Sequence, residues 1–200
     1  MALKIQFNKT ALQQLTKQLK MREKALPILK SKEAALRVEV KKAKDRAQEL
    51  EAQLQERMAE YDEIASLWAE FDKDLVQISN VRFTKKKIAG VDTPVLEDVE
   101  FNVKDFSLHN TPSWFPDGVE IIKELIKIAI ERDFFSKKMD ILGYARKKTT
   151  QKVNLYEKVQ IPEYEDGIRK IKRFLEDNEN LSKSAQKIVK NRQQKKEVAS

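Results

Sequence analysis

The chain has 200 residues, of which 36% are charged, with a formal net charge of +8, four glycines, five prolines and no cysteine. So few helix breakers in so charged a chain favour long helices over a compact α/β body, and an elongated helix pair has no deep core in which to build a pocket. The missing cysteines exclude disulfides and thiolate metal sites, which fits a reducing compartment.

The opening Met1-Ala2-Leu3-Lys4-Ile5-Gln6-Phe7 lacks the apolar run of a signal peptide, and no stretch approaches the roughly 20 apolar residues of a membrane span. The expected location is therefore cytoplasmic, with no direct membrane insertion. Thr10-Ala11-Leu12-Gln13 follows as a capping-box pattern, in which the Thr hydroxyl and Gln amide satisfy orphan backbone donors, so a helix is expected to start near Thr10. Its apolar stripe runs Leu36, Val40, Ala43, Ala47, Leu50, Leu54, Met58, Tyr61, Ala65, Trp68, Phe71, Leu75, Ile78 in steps of three and four. The extra four-residue step at Leu54, Met58, Tyr61 is a stutter that locally unwinds a left-handed supercoil. Pro27 removes one backbone hydrogen bond without stopping the pattern, so it predicts a kink. The N-terminal coiled-coil helix is thus expected within 1–79.

Past residue 79 the period changes to two. Val81 and Phe83, then Val99, Phe101 and Val103, alternate with polar residues, while Gly90, Asp92, Thr93 and Pro94 supply turn chemistry. A β-hairpin with its turn near Asp92–Pro94 and a loop are expected within 80–116, the hairpin projecting from the helices. Lys87, Val91, Val99, Phe101 and Val103 are its candidate partner-docking residues. Asp117 reads as an acidic N-cap for a short helix over 117–133, with Val119, Ile122, Leu125, Ile126 and Ala129 on one face.

A C-terminal helix over 134–200 is expected from Leu142, Ala145, Thr149, Val153, Tyr156, Val159, Ile168, Ile171, Leu175, Leu181, Ala185 and Ile188. The fold expected is mainly α: a long antiparallel two-helix coiled coil formed by the N- and C-terminal helices, with a small β-hairpin and a short helix in the middle. Its core should be Leu36, Val40, Ala43, Ala47, Leu50, Leu54 and Tyr61 against Leu142, Val153, Tyr156, Ile168, Ile171 and Leu175. Matching the helix lengths puts residue 79 opposite 134, Leu50 against 142–172 and Leu15 near Val189. In that register Pro27 and Pro162 lie at different levels, and the basic segment 1–50 meets the basic tip of Lys183, Lys187, Lys190 and Arg192.

Catalytic constellations are missing from this pattern. His109 is the single histidine and reads as structural; the glycines are too scattered to cradle a phosphate, and the acidic clusters lack the spacing of a calcium loop. No catalytic, cofactor-binding or metal-binding residue is assigned, and no cofactor is expected. Lys85-Lys86-Lys87 and Arg146-Lys147-Lys148 could neutralise phosphates, but no aromatic residues interleave with them as a stacking platform requires, so a nucleic-acid partner is not expected.

Two stretches carry a resemblance. Ile28-Leu29-Lys30-Ser31-Lys32-Glu33-Ala34-Ala35-Leu36 resembles the Leu-Leu-Lys-x-Lys-x-x-x-Leu run of the D subunit of the V-type and A-type rotary ATPases. The run from Lys148 and Thr149 through Val153, Asn154 and Glu157 to Ile161 and Pro162 is similar to that family's Lys-Thr-x-x-x-Val-Asn-x-x-Glu-x-x-x-Ile-Pro stretch. The matches come in the family's order, one on each long helix, and the opening Phe7-Asn8-Lys9-Thr10-Ala11-Leu12 is also similar.

The resemblance implies a non-catalytic central axle, the rotor of the central stalk, that transmits torque between a catalytic hexamer and an ion-translocating membrane ring. The partners it implies are the catalytic and regulatory A and B subunits, the F subunit along the side, and the funnel-like subunit above the ring. Two other classes stay open: a homo-oligomeric coiled-coil scaffold, and a basic nucleic-acid-binding coiled coil.

Overall fold

The computed structural model describes residues 6–61, 71, 75–105 and 112–198. Its elements in chain order are helix α1 (Lys9–Glu60), strands β1 (Val76–Ile88) and β2 (Val91–Val103), helix α2 (Phe115–Leu155), a π-helical turn over Tyr156–Gln160, and helix α3 (Ile161–Val198). The fold is mainly helical with a central two-stranded antiparallel hairpin, as the sequence pattern implies. Two compact units form, one from Met1–Ser31 with Thr150–Ser200 and the other from Lys32–Thr149.

Helix α1 is capped ahead of the Thr10 box. Asn8 Oδ1 accepts the Ala11 N–H at 2.6 Å, so asparagine, the stronger N-cap, holds the start. The α1 helix ends at Glu60, and Val76–Ser79, expected to be helical, belong to β1. The reason is cross-strand pairing: Val76 lies opposite Val103 and Ile78 opposite Phe101, where branched side chains pack well on a pleated surface. Ala65, Trp68 and His109 lie outside the described residues.

In the Lys32–Thr149 unit the helices run antiparallel, since Arg46 pairs with Glu131 at 3.3 Å, Glu51 with Arg132 at 2.8 Å and Arg57 with Glu124 at 3.4 Å. Leu50, flanked by the first two pairs, therefore sits at the level of 131–132 and not of 142–172. The expected register fails because α2 starts at Phe115. The segment from Ala129 to Ser136 contains no glycine or proline to break it, so the separate helices expected over 117–133 and from 134 are one. Asp117 falls inside the first turn, where its charge complements the helix dipole without capping the end.

The hairpin turns at Ala89-Gly90, not at Asp92–Pro94. Both residues have positive φ (48° and 74°), the requirement of a two-residue turn that matches strand twist, and glycine meets it at no steric cost. Pro94 is tolerated within β2 because a two-stranded ribbon leaves each strand one unpaired edge. Thr93 is fully buried and donates its hydroxyl to the Lys86 carbonyl at 2.9 Å.

The hairpin does not stand free of the helices. Its base joins a core of Phe71, Leu75, Val76, Phe115 and Val119, with Phe101, Val103 and Trp114 packed on it. Phe83 meets Phe134 with ring centroids 5.9 Å apart, and the tip at Gly90 lies against the Lys32 ammonium.

The Met1–Ser31 and Thr150–Ser200 unit is also antiparallel. Arg22 donates to Gln160 Oε1 at 2.6 Å, Lys30 pairs with Glu157 at 2.6 Å, and the Phe7 and Phe174 rings meet at a tilt with centroids 5.1 Å apart. Leu15, Tyr164 and Ile171 form its buried cluster. Leu15 thus faces 164–171 and not Val189, and Pro27 falls between the levels of Arg22 and Lys30, opposite the π turn just before Pro162. Pro162 favours a wider ring just before it, because its ring collides with the carbonyl four residues earlier in a regular helix, but a proline does not compel one, since α1 runs through Pro27 as α-helix. In the wider π geometry the Ile161 N–H reaches back five residues to the Tyr156 carbonyl.

Candidate functional site

The described residues offer surfaces rather than an enclosed chemical centre. Among them no group of histidine or acidic side chains is arranged to hold a metal ion, and no helix is long and apolar enough to cross a membrane.

The expected core residues divide by depth. Leu36, Ala43, Leu50, Leu142 and Ile171 are buried, whereas Val40, Ala47, Leu54, Tyr61, Val153, Tyr156, Ile168 and Leu175 are half-buried, as befits one stripe per helix. Full burial of a leucine or isoleucine side chain contributes about 1.5–3 kcal/mol, so Leu36, Leu50, Leu142 and Ile171, the largest fully buried apolar side chains among the described residues, contribute most to the pairing. Met58 lies exposed at the stutter.

The residues that carry the family resemblance serve the helix pair in different ways. Leu29 and Ile161 are half-buried, and Lys30 bridges to Glu157. The Lys148 ammonium lies 4.5 Å from the centroid of the Tyr144 ring. Thr149 is buried and satisfies its hydroxyl by donating to the Ala145 carbonyl at 2.8 Å, which lets a polar residue sit in an apolar stripe. Lys32 approaches the hairpin tip, while Asn154 and Pro162 face solvent.

Three surfaces remain for partners. The first is the far end of α3: every residue from Glu176 to Gln194 is exposed, including Lys183, Lys187, Lys190 and Arg192 together with Leu181, Ile188 and Val189. Helix α1 begins near the level of Glu179, so among the described residues this end carries an apolar stripe that α1 does not cover. Among the described residues, Lys183, Lys187, Lys190 and Arg192 thus stand past the start of α1, and the expected register that puts them beside the basic residues of α1 is shifted. The second surface is a groove of about 290 Å³ between β2 and α2, lined by Pro94, Leu96, Phe134, Phe135 and Lys138. The third is the outer hairpin, where Lys87 is exposed and Val91 half-buried; Val99, Phe101 and Val103 are turned inward and contribute to packing instead.

Electrostatics on these faces is local. The Arg132 guanidinium hydrogen-bonded to Glu51 holds that carboxyl below its usual range, and Lys170 and Lys183 do the same to Asp166 and Glu179. Solvent screens such exposed pairs, so they tune register and do not hold the fold alone.

Arg22, Gln160 and Tyr164 carry a cluster that the sequence stripe beginning at Leu36 overlooks. Counting back by sevens from Leu36 through Leu29 reaches Arg22 and then Leu15, so the signal was present in the spacing.

What the fold defines is a mainly helical protein with long N- and C-terminal helices and a two-stranded hairpin in the middle. The chain belongs to the ATP synthase D-subunit family, whose model matches residues 11–191. It is 32% identical over 190 residues to the V-type ATP synthase D subunit of Borreliella burgdorferi, covering 94% of each chain. With the protein of the same name from Chlamydia trachomatis serovar L2 it shares 29% identity over 203 aligned positions, covering 98% of this chain and all of the relative. The Chlamydia muridarum relative is 31% identical over 178 residues, 86% of this chain and 88% of the other.

Proposed function

We propose that this chain is the non-catalytic central axle of a V/A-type ATPase, passing torque between ATP hydrolysis or synthesis in a catalytic hexamer and ion movement through a membrane ring. The single observation that carries this reading is the family match across both helical arms and the hairpin, residues 11–191. The physics of an axle asks for stiffness, and the antiparallel pairing in each unit supports it: two helices cross-linked by Arg46–Glu131, Glu51–Arg132, Arg22–Gln160 and Lys30–Glu157 resist bending better than one.

In this reading the exposed basic end of α3 enters the bore formed by the A and B subunits. The hairpin and its groove face the F subunit or the surrounding collar, and the funnel-like subunit above the ring receives the opposite end. No cofactor is required, and the protein works at the cytoplasmic face of the membrane as a peripheral part of the complex. Torque needs a surface that favours a different catalytic-site state at each angle, and the one-sided placement of the hairpin on the helices supplies such asymmetry.

The test is co-purification of untagged A, B and F subunits with a tagged version of this chain, followed by ATP-driven ion pumping with and without it. Recovery of the complex, with ion pumping lost when this chain is omitted, is the expected result. A homo-oligomer by solution mass that captures none of these subunits would overturn the axle.

A further inference from the structure

Helix α1 keeps a strict seven-residue spacing along its seam, through Leu15, Arg22, Leu29, Leu36, Ala43 and Leu50. Four of these are buried, and Arg22 is the one charged member. On the returning helix of the pair the inward positions Leu142, Thr149 and Tyr156 also step by seven, but the next large buried side chains are Tyr164 and Ile171. One residue too many thus lies between Tyr156 and Tyr164, and the π turn over Tyr156–Gln160 absorbs it, since each five-residue backbone ring takes up one extra residue and returns the seam to phase.

The irregularity and the charge meet. The Arg22 guanidinium lies 4.5 Å from the centroid of the Tyr164 ring and 5.8 Å from that of Tyr156, the two seam residues on either side of the skip. It donates to Gln160 Oε1, on the last residue of the π turn. A planar fork that stacks and donates at once suits this geometry in a way an ammonium does not.

We propose that Arg22 is a register lock: it fixes the level at which the extra residue is accommodated and so selects one alignment of the antiparallel pair. An apolar residue in a seam packs equally well against several levels, whereas Arg22, which keeps one donor on the Gln18 carbonyl of its own helix, meets the Gln160 acceptor and both tyrosine rings at one level only, the device by which single polar core residues set register in coiled coils. Without Arg22 the π turn can be taken up elsewhere along the helix. Each one-residue shift turns the following segment by about 100° around its axis. The lock does not depend on the axle reading, because the isolated full-length chain serves for its test.

The chain has no cysteine, so spin labels at Lys17→Cys and Lys172→Cys, both exposed sites, report the alignment of α1 and α3 without interference. The parent should give one narrow distance distribution. Arg22→Leu should keep its helical circular dichroism and melt no lower than the parent, yet show a broadened or divided distribution. Arg22→Lys, which retains the charge but not the fork, should broaden it less. Removing Val159 deletes the extra residue, so Arg22→Leu in that background should return a single narrow distribution. An unchanged narrow distribution in Arg22→Leu overturns the lock. So does broadening that persists after Val159 is removed, since the skip would then be irrelevant.

Discussion

Gly118 and Gly143 lie on the same helix, and the same substitution should move stability in opposite directions at the two sites. Replacing a helical glycine by alanine gains about 1 kcal/mol, because alanine loses less backbone freedom on folding. At Gly143 an added Cβ would meet nothing within 4 Å, so Gly143→Ala should realise that gain. At Gly118 the Cβ would lie 2.8 Å from Cζ3 and 3.1 Å from Cε3 of Trp114, and 3.2 Å from Cε2 of Phe71. Carbon atoms rest at about 3.5–4.0 Å from one another, so two aromatic rings would have to retreat by several tenths of an ångström.

Neither ring is a flexible chain end. Trp114, Phe71 and Phe115 stack on each other with centroids 5.1–5.8 Å apart, so moving one disturbs the others. Overpacking of this kind costs about 1–3 kcal/mol. The propensity gain is smaller in the first turn, where Gly118 sits, leaving a net loss of about 1–2 kcal/mol there. For a chain of this size each kcal/mol shifts the melting temperature by about 2–4 °C. Thermal and urea denaturation, followed by helical circular dichroism and by tryptophan fluorescence, should place Gly143→Ala a few degrees above the parent and Gly118→Ala a few degrees below. Equal stabilisation by both would refute the reasoning, since the aromatic cluster would then yield freely.

Leu36→Ala and Ile171→Ala, each at a position with 0% exposure, should cost about 2–5 kcal/mol apiece by leaving cavities in a thin seam, read as a lower urea midpoint at unchanged slope. Ala89→Gly should stabilise by about 1 kcal/mol, because alanine at φ 48° carries a steric cost that glycine avoids; a lower melting temperature would count against the turn geometry. The Glu51 carboxyl titrates below its unfolded value because Arg132 donates to it, so its contribution is present above the unfolded pKa and is lost as pH falls through the folded one. Melting curves of Glu51→Gln and parent should therefore differ near neutral pH and converge in acid, and a constant difference would exclude the linkage. Replacing Lys183, Lys187, Lys190 and Arg192 together by glutamine should slow assembly of the complex at low salt and leave turnover of assembled complexes intact, since exposed charges steer encounter more than they hold it; turnover that collapsed after full assembly would make them torque contacts.

Sequence alone determined the helices, the hairpin and most of the seam, because these follow from local physics. Three-and-four spacing marks a buried helical face at Leu36, Ala43 and Leu50, and alternation marks the strands around Phe83 and Phe101. The resemblance at Leu29–Lys32 and Lys148–Pro162 led to the family. Tertiary structure decided what depends on distant partners. Val76–Ser79 continue the helical stripe by spacing, yet the opposing Val103 and Phe101 draw Val76 and Ile78 into a strand. A new helix is expected from 134, but Arg132 and Asp133 lie within one unbroken helix, from which Arg132 reaches Glu51 on α1. Those two outcomes shifted the antiparallel register, and with it the neighbours of Leu15 and Leu50. Arg22 shows the boundary most clearly: its seam position is countable along one helix, while the π turn that meets it takes up an extra residue only where the returning helix is fitted against α1.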